Sequence, residues 1–152
     1  MASLVALLLA ALPISFEGNR QIPTAELERI AAGLGAAPFD DERLHRLQLE
    51  VTARYFDRGF IDVRVDVAQP LVVRITEGEQ FTLAGIHFDG AWPRPEAELR
   101  AQVQSRDGQP FSRRSVTDDL RRLRALVGRD VEVRSSVDVD RRTVSLKLLA
   151  EP

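Results

Sequence analysis

The chain has 152 residues, of which 44% are apolar and 29% charged, and it carries a net charge of −2. That is ordinary globular composition, and the charge gives no general attraction to nucleic acid or to an anionic membrane. The absence of cysteine excludes disulfides, thiolate metal sites and cysteine nucleophiles.

Ala2 to Leu12 is apolar apart from one serine. It is too short to span a bilayer and matches an export-signal core in length, although no Lys or Arg precedes it and no A-x-A site follows. Alternatively, Leu9 to Leu12 opens the first strand. Ile14-Ser-Phe16 then alternates as a half-buried strand does, and Gly18-Asn19 ends it. Pro23 suits the start of a helix, on which Leu27, Ile30, Ala31 and Leu34 follow at helical spacing; Gly33 and Gly35 close it. Pro38-Phe39 makes a corner. Asp40 suits an N-cap, with Asp41 and Glu42 at the positive end of a second helix. Its apolar face is Leu44, Leu47, Val51 and Tyr55, and Gly59 supplies a left-handed stop. Ile61, Val63, Val65 and Val67 alternate with Asp62, Arg64 and Asp66, which predicts a strand over 60–68. Gln69-Pro70 turns the chain, and Leu71, Val73 and Ile75 return it. The order is β-α-α-β-β.

The pattern then recurs. Shifted by 72, Ile14, Phe16 and Gly18 fall on Ile86, Phe88 and Gly90, and Pro23, Ala25, Glu26 and Leu27 on Pro95, Ala97, Glu98 and Leu99. Pro38-Phe39, Ala53 and Val65-Asp66-Val67 fall on Pro110-Phe111, Ala125 and Val137-Asp138-Val139. These are 13 identities in 55 ungapped pairs, against roughly 3 from average composition. A period of this length means a repeated structural unit. In the second copy Leu99 and Val103 mark helix one, and Ser112 caps helix two, whose stripe is Val116, Leu120, Leu123 and Val127. Val131, Val133, Val137 and Val139 form the inward side of a strand over 131–139. Asp140-Arg-Arg turns the chain, and Val144, Leu146 and Leu148 finish the sheet. The fold class is therefore α+β: two tandem β-α-α-β-β modules, 12–78 and 79–152, each a three-stranded mixed sheet with two helices on one face. Residues 1–11 remain an apolar N-terminal segment.

The β-α-α-β-β order, the Ile-x-Phe-x-Gly opening and Tyr55-Phe-Asp-Arg-Gly59-Phe60-Ile61 resemble the POTRA domain. So does the exit Val73-Arg-Ile75-Thr-Glu77-Gly78, running into Ile86-His-Phe88-Asp-Gly90. Glu77-Gly78-Glu79-Gln80-Phe81 is closer to the barrel-assembly branch of that family than to its secretion branch. The second copy departs from the pattern: it lacks the Tyr-x-x-x-Gly-Phe motif, with Val127, Asp130 and Val131 nearby, so its helix-to-strand corner is expected to differ. The resemblance implies a non-enzymatic periplasmic segment associated with the outer membrane, in an assembly or translocation system. Its implied partners are unfolded outer-membrane or secreted polypeptides, accessory assembly proteins, and a β-barrel downstream or encoded elsewhere. No cofactor and no nucleic acid is expected.

In POTRA-like sheets the strand after the second helix lies at an edge, where free N–H and C=O groups can accept an extended peptide. The resemblance thus points to Phe60, Asp62, Arg64 and Asp66 in the first copy, and to Glu132, Arg134, Ser136 and Asp138 in the second. The same charges are also a device against aggregation, which leaves a structural spacer as the alternative. Trp92, Arg121 and Arg124 are a candidate partner patch. An ordinary solvated helix face competes with it, because Arg114 and Arg122 each stand four residues from Asp118. A nucleic-acid-binding module using the arginine-rich helix is the third reading, disfavoured by the acidic balance. His45 and His87 have no metal-ligand companion at useful spacing, and no nucleotide or nucleophile motif is present, so no catalytic or metal residue is assigned.

Overall fold

In the computed structural model, residues 14–35, 39–68 and 71–151 are described. The apolar segment 1–11, Pro38 and the Gln69-Pro70 turn lie outside them. The chain divides into two compact units. One holds Asp62–Gly78 and the described residues before Phe56; the other holds Phe56–Ile61 and the chain from Glu79 onward.

The first unit runs β1 (Ser15–Glu17), α1 (Thr24–Gly33), α2 (Asp41–Phe56), β2 (Arg64–Ala68) and β3 (Val72–Thr76). The second runs β4 (Thr82–Asp89), α3 (Glu96–Gln102), α4 (Arg113–Val127), β5 (Val131–Asp138) and β6 (Thr143–Ala150). Each sheet is mixed, with strand orders β1-β3-β2 and β4-β6-β5. β1 and β4 join the central strand in parallel, and β2 and β5 join it antiparallel.

Local chemistry places the ends. Pro23 and Pro95 precede α1 and α3 with φ of −59° and −60°, the angle their rings impose. Asp40 Oδ1 accepts the Arg43 N–H at 2.8 Å, and Ser112 Oγ accepts the Ser115 N–H at 3.2 Å, so both expected caps form. α4 stops at Gly128, φ 67°, whose N–H bonds the Arg124 carbonyl. Gly18, φ 85°, is required by close approach: a Cβ there would stand 2.0 Å from the Ile75 carbonyl oxygen.

Leu27, Leu47, Val51 and Tyr55 from the helices meet Val65, Val73 and Ile75 from the sheet as buried residues of the first unit. In the second, Leu99, Val103 and Leu123 pack with Phe81, Leu83, Ile86, Val131, Val144, Leu146 and Leu148. The period-2 burial along β6, with Lys147 exposed between Leu146 and Leu148, puts both helices on one face. A register shift between Leu83 and Gly85 lets both Leu83 and Ile86 turn inward despite their odd spacing.

Two polar anchors, one of them buried, were not evident in the sequence. Glu77 Oε1 accepts from Tyr55 Oη at 2.8 Å and from the Arg20 and Gln21 N–H groups at 2.6 and 2.8 Å. It thereby ties the end of β3 to α2 and to the loop before α1. Asp119, 3% exposed, takes the Gln104 and Ser105 N–H groups, the Ser105 hydroxyl and the Arg122 guanidinium, and so fixes the segment after α3 against α4. Arg122 therefore pairs with Asp119, and Arg121 with Asp118, which corrects the expected pairing of Arg122 with Asp118. The i,i+3 geometry and the buried position of Asp119 decide the partner.

The repeat is out of step at its end. Phe16 pairs with Val73 and Val73 with Val67, while Phe88 pairs with Leu148 and Leu148 with Val133. The offset is thus 72 between β1 and β4, 75 between β3 and β6, and 66 between β2 and β5. Val65-Asp66-Val67 does not superpose on Val137-Asp138-Val139; Val65 and Val67 correspond to Val131 and Val133. The cause is the corner after the second helix, 57–63 in the first unit but only 128–130 in the second. β5 and β6 then continue together past the last position that β2 and β3 reach. In that extension Val137 is 46% exposed, and Val139, in the turn, 71%. Neither forms the inward side expected of it: Val144, opposite Val137, is 2% exposed, so the cover reaches the central strand but not this stretch of the edge.

Asp119→Ala should lower the stability of the second unit by about 1–3 kcal/mol, the cost of leaving buried donors unpaired, measured by urea unfolding. Tyr55→Phe should cost the first unit less, about 0.5–1.5 kcal/mol, because one hydrogen bond is lost and Glu77 keeps its two backbone donors.

Candidate functional site: the sheet edges

Both strands that follow a second helix are edge strands. The candidate residues divide on inspection. Arg64 and Asp66 lie on β2, and Glu132, Arg134, Ser136 and Asp138 on β5. Phe60 and Asp62 do not belong to the edge. β2 begins only at Arg64, Phe60 is 6% exposed, and Asp62 sits in a turn. A Cβ on Gly78 would come within 2.2 Å of the Asp62 carboxylate, so this aspartate packs against the backbone at the end of β3. Phe60 is drawn inward because its neighbour Gly59, φ 89°, gives its carbonyl to the Phe81 N–H at 2.8 Å, with Ile61 packed on the Phe81 cluster.

Hydrogen-bond parity defines the edge of β5. The Glu151 N–H bonds the Asp130 carbonyl, which makes that pair and every second pair along the ladder hydrogen-bonded to β6. Glu132, Arg134, Ser136 and Asp138 therefore turn their backbone groups inward. Val131, Val133, Ser135 and Val137 turn theirs outward.

At Val131 this outward row is closed. Its N–H bonds Asp130 Oδ1 at 2.9 Å, its carbonyl accepts from Arg124 Nη2 at 3.1 Å, and Arg124 Nε meets Asp130 Oδ1 at 2.6 Å. Arg124 is thus committed to the edge rather than to a patch with Trp92. β2 is covered in part at the corresponding residue: the Val65 carbonyl accepts from Gln48 Nε2 of α2 at 2.6 Å. The opposite edges carry their own covers. The Leu83 N–H and carbonyl bond Gln109 and Gly108 of the loop before α4. The Ile86 carbonyl takes Arg100 Nη2 at 3.4 Å, and β1 is only 3 residues long.

The solvent face of β5 carries Glu132 and Arg134, joined at 2.7 Å. The hydrogen bond from the guanidinium holds the Glu132 carboxyl below the usual carboxylate range and raises Arg134, with the charge attraction adding to it. The ion pair is therefore complete at neutral pH and is lost only as pH falls through that lowered value. Trp92 donates its indole N–H to the Asp89 carbonyl and meets Phe88 edge-on at 5.4 Å, which accounts for it by packing. Arg121 lines a shallow cleft with Asp57, Arg113, Arg114 and Thr117, where Asp57 accepts the Arg114 N–H. Among the described residues no group of three or more His, Asp or Glu side chains is placed to hold a metal ion, and no helix is long and apolar enough to cross a membrane.

The geometry agrees with comparisons to known proteins. Residues 13–78 match the POTRA family model, described as a surface antigen variable number repeat. No curated protein matches the chain in sequence. Among solved structures, BamA from Haemophilus ducreyi lacking POTRA domains 1–3 is similar at 16% identity and a TM-score of 0.74, over 93% of this chain and 29% of that one. BamA POTRA3–5 from Haemophilus influenzae is similar at 15% identity and a TM-score of 0.64, over 91% and 64%. POTRA1–2 of Anabaena Omp85 is similar at 14% identity and a TM-score of 0.53, over 89% of each chain. The chain spans less than two thirds of either BamA chain. The first module thus matches the POTRA family model, and the fold of the chain is similar to that of consecutive POTRA domains of known structure.

Proposed function

We propose that this tandem is a periplasmic segment of an outer-membrane protein assembly or translocation system, and that it holds unfolded polypeptide by strand addition. One observation carries the reading: in each sheet the strand after the second helix is paired on one side only. Such an edge presents backbone donors and acceptors at the spacing an extended chain needs, and backbone pairing does not depend on client sequence. The fold shared with POTRA domains of BamA and Omp85 supports the compartment and the class of partner. Arg64, Asp66, Glu132, Arg134, Ser136 and Asp138 would modulate affinity from the flanking faces. No step in this role calls for a cofactor or a catalytic group.

Photo-crosslinking side chains placed at Asp66 or Ser136 should capture unfolded outer-membrane polypeptide. Proline at Val65 and Val137 removes outward N–H groups without breaking a ladder bond, a position proline tolerates on an edge. The double variant Val65→Pro, Val137→Pro should lose capture roughly tenfold, the equivalent of about 1.4 kcal/mol of pairing, with its circular dichroism unchanged. Full capture by the folded double variant would leave only a spacer that sets the distance between membrane and partner.

A further inference from the structure

We infer that the second unit carries a preformed pocket for one neutral, hydroxyl-rich ring, a single N-acetylated sugar residue. The pocket lies between α4 and the segment 104–112 that precedes it. Neither β2 nor β5 lines it, and the inference stands apart from strand addition.

The cavity has a volume of about 250 Å³. That is just below the range of about 300–1,000 Å³ that serves drug-sized ligands, so it suits one ring and not a length of chain. Its walls are fixed before any ligand arrives. Asp119 holds the Gln104 and Ser105 N–H groups and the Ser105 hydroxyl against α4. The Gln109 carbonyl accepts the Leu83 N–H at 2.8 Å, and the Phe111 N–H donates to the Phe81 carbonyl at 2.9 Å, which seats the rest of the segment beside β4.

The lining decides the chemistry. Hydroxyl and carboxamide groups converge from Gln104, Gln109, Ser112 and Ser115. Among the described residues nothing bonds the Gln104 carboxamide, Gln109 Nε2 or the Ser115 hydroxyl. Ser112 Oγ accepts the Ser115 N–H and keeps its own proton to donate. Asp118 engages Arg121 through Oδ1, which leaves Oδ2 as an acceptor. A sugar hydroxyl both donates and accepts, and these walls offer both. Leu83, Phe111 and Val116 form an apolar side, suited to the C–H face of the ring and to an acetyl methyl.

Charge argues against an ionic ligand. Arg122 is held by Asp119, and Arg121 by Asp118. The Arg106 guanidinium donates to the Val103 and Ser105 carbonyls. The start of α4 adds nothing for an anion, because Ser112 takes the Ser115 N–H and Asp57 the Arg114 N–H.

Titration of the full chain with N-acetylglucosamine and with its linear tetramer, read by amide NMR, tests the site. Saturable shifts should be confined to Gln104, Ser105, Gln109, Ser112 and Ser115, with a dissociation constant on the order of 1 mM, the weak regime of so small a ligand. The double variant Gln104→Ala, Ser115→Ala should weaken binding about tenfold, because it removes hydrogen bonds to the ring. At both positions only the backbone N–H serves the fold, so the remaining amide shifts should not move. Monomer and tetramer should bind about equally. A tetramer held more than about tenfold tighter would overturn the one-residue size. Shifts elsewhere on the chain, or full binding by the double variant, would overturn the site. No saturable shift at about ten times the expected constant would overturn the sugar assignment. Sodium phosphate moving the same amides at lower concentration than the sugar would refute a neutral ligand. Polypeptide crosslinking at Asp66 and Ser136 should be unchanged in the double variant, and its loss would refute a site separate from the edges.

Discussion

A backbone N–H or C=O at the rim of a sheet must find a partner, and this constraint organises both units. Unpaired rim groups invite association, and each rim of this protein answers the problem differently. A glutamine reaches from helix α2 to Val65, an arginine–aspartate pair brackets Val131, and a loop runs beside Leu83. These covers are side chains or loop segments supplied by each unit to its own sheet. Where they end, the edge is open.

How far each edge extends depends on one connection. In the first unit seven residues separate the second helix from its strand, positions 57–63. Tyr55, just before it, donates to Glu77, and Gly59 within it accepts the Phe81 N–H. In the second unit only Gly128, Arg129 and Asp130 intervene, and a left-handed glycine turns the chain at once. The chain enters its strand earlier relative to the central strand, so the hairpin gains length at its far end. A change at the corner is thereby expressed near the turn Val139–Arg142, where Val137 on the edge strand stays exposed. The acidic anchors Glu77 and Asp119 hold the loops near the helix ends in place.

The repeat also shows how identity can mislead. Ten of the thirteen matched residues fall in the stretch from the first strand through the second helix, where spacing is kept. The Val-Asp-Val match beyond it is real in sequence and displaced by six positions in the sheets. Alternating valine and polar residues satisfy any even shift, because every such shift keeps the same side chains facing the core. Phe60 and Asp62 follow the same logic: Phe60 to Ala68 alternates throughout, yet the ladder begins at Arg64, with Gly59 bonded to Phe81 and Asp62 packed on Gly78.

Apolar spacing, capping residues and the glycines that need positive φ were enough to determine the order of elements, the two-module plan, the helix faces and the resemblance to POTRA domains, because each is a local property of neighbouring residues. The partners of Asp119 and Arg122, the inward packing of Phe60, and the open or closed state of each rim were decided only by tertiary structure. Backbone groups are the same at every residue, so nothing in the order of side chains says which of them face outward. That follows from the register of strands distant in sequence, and from whether a side chain such as Gln48 or Arg124 arrives to meet them.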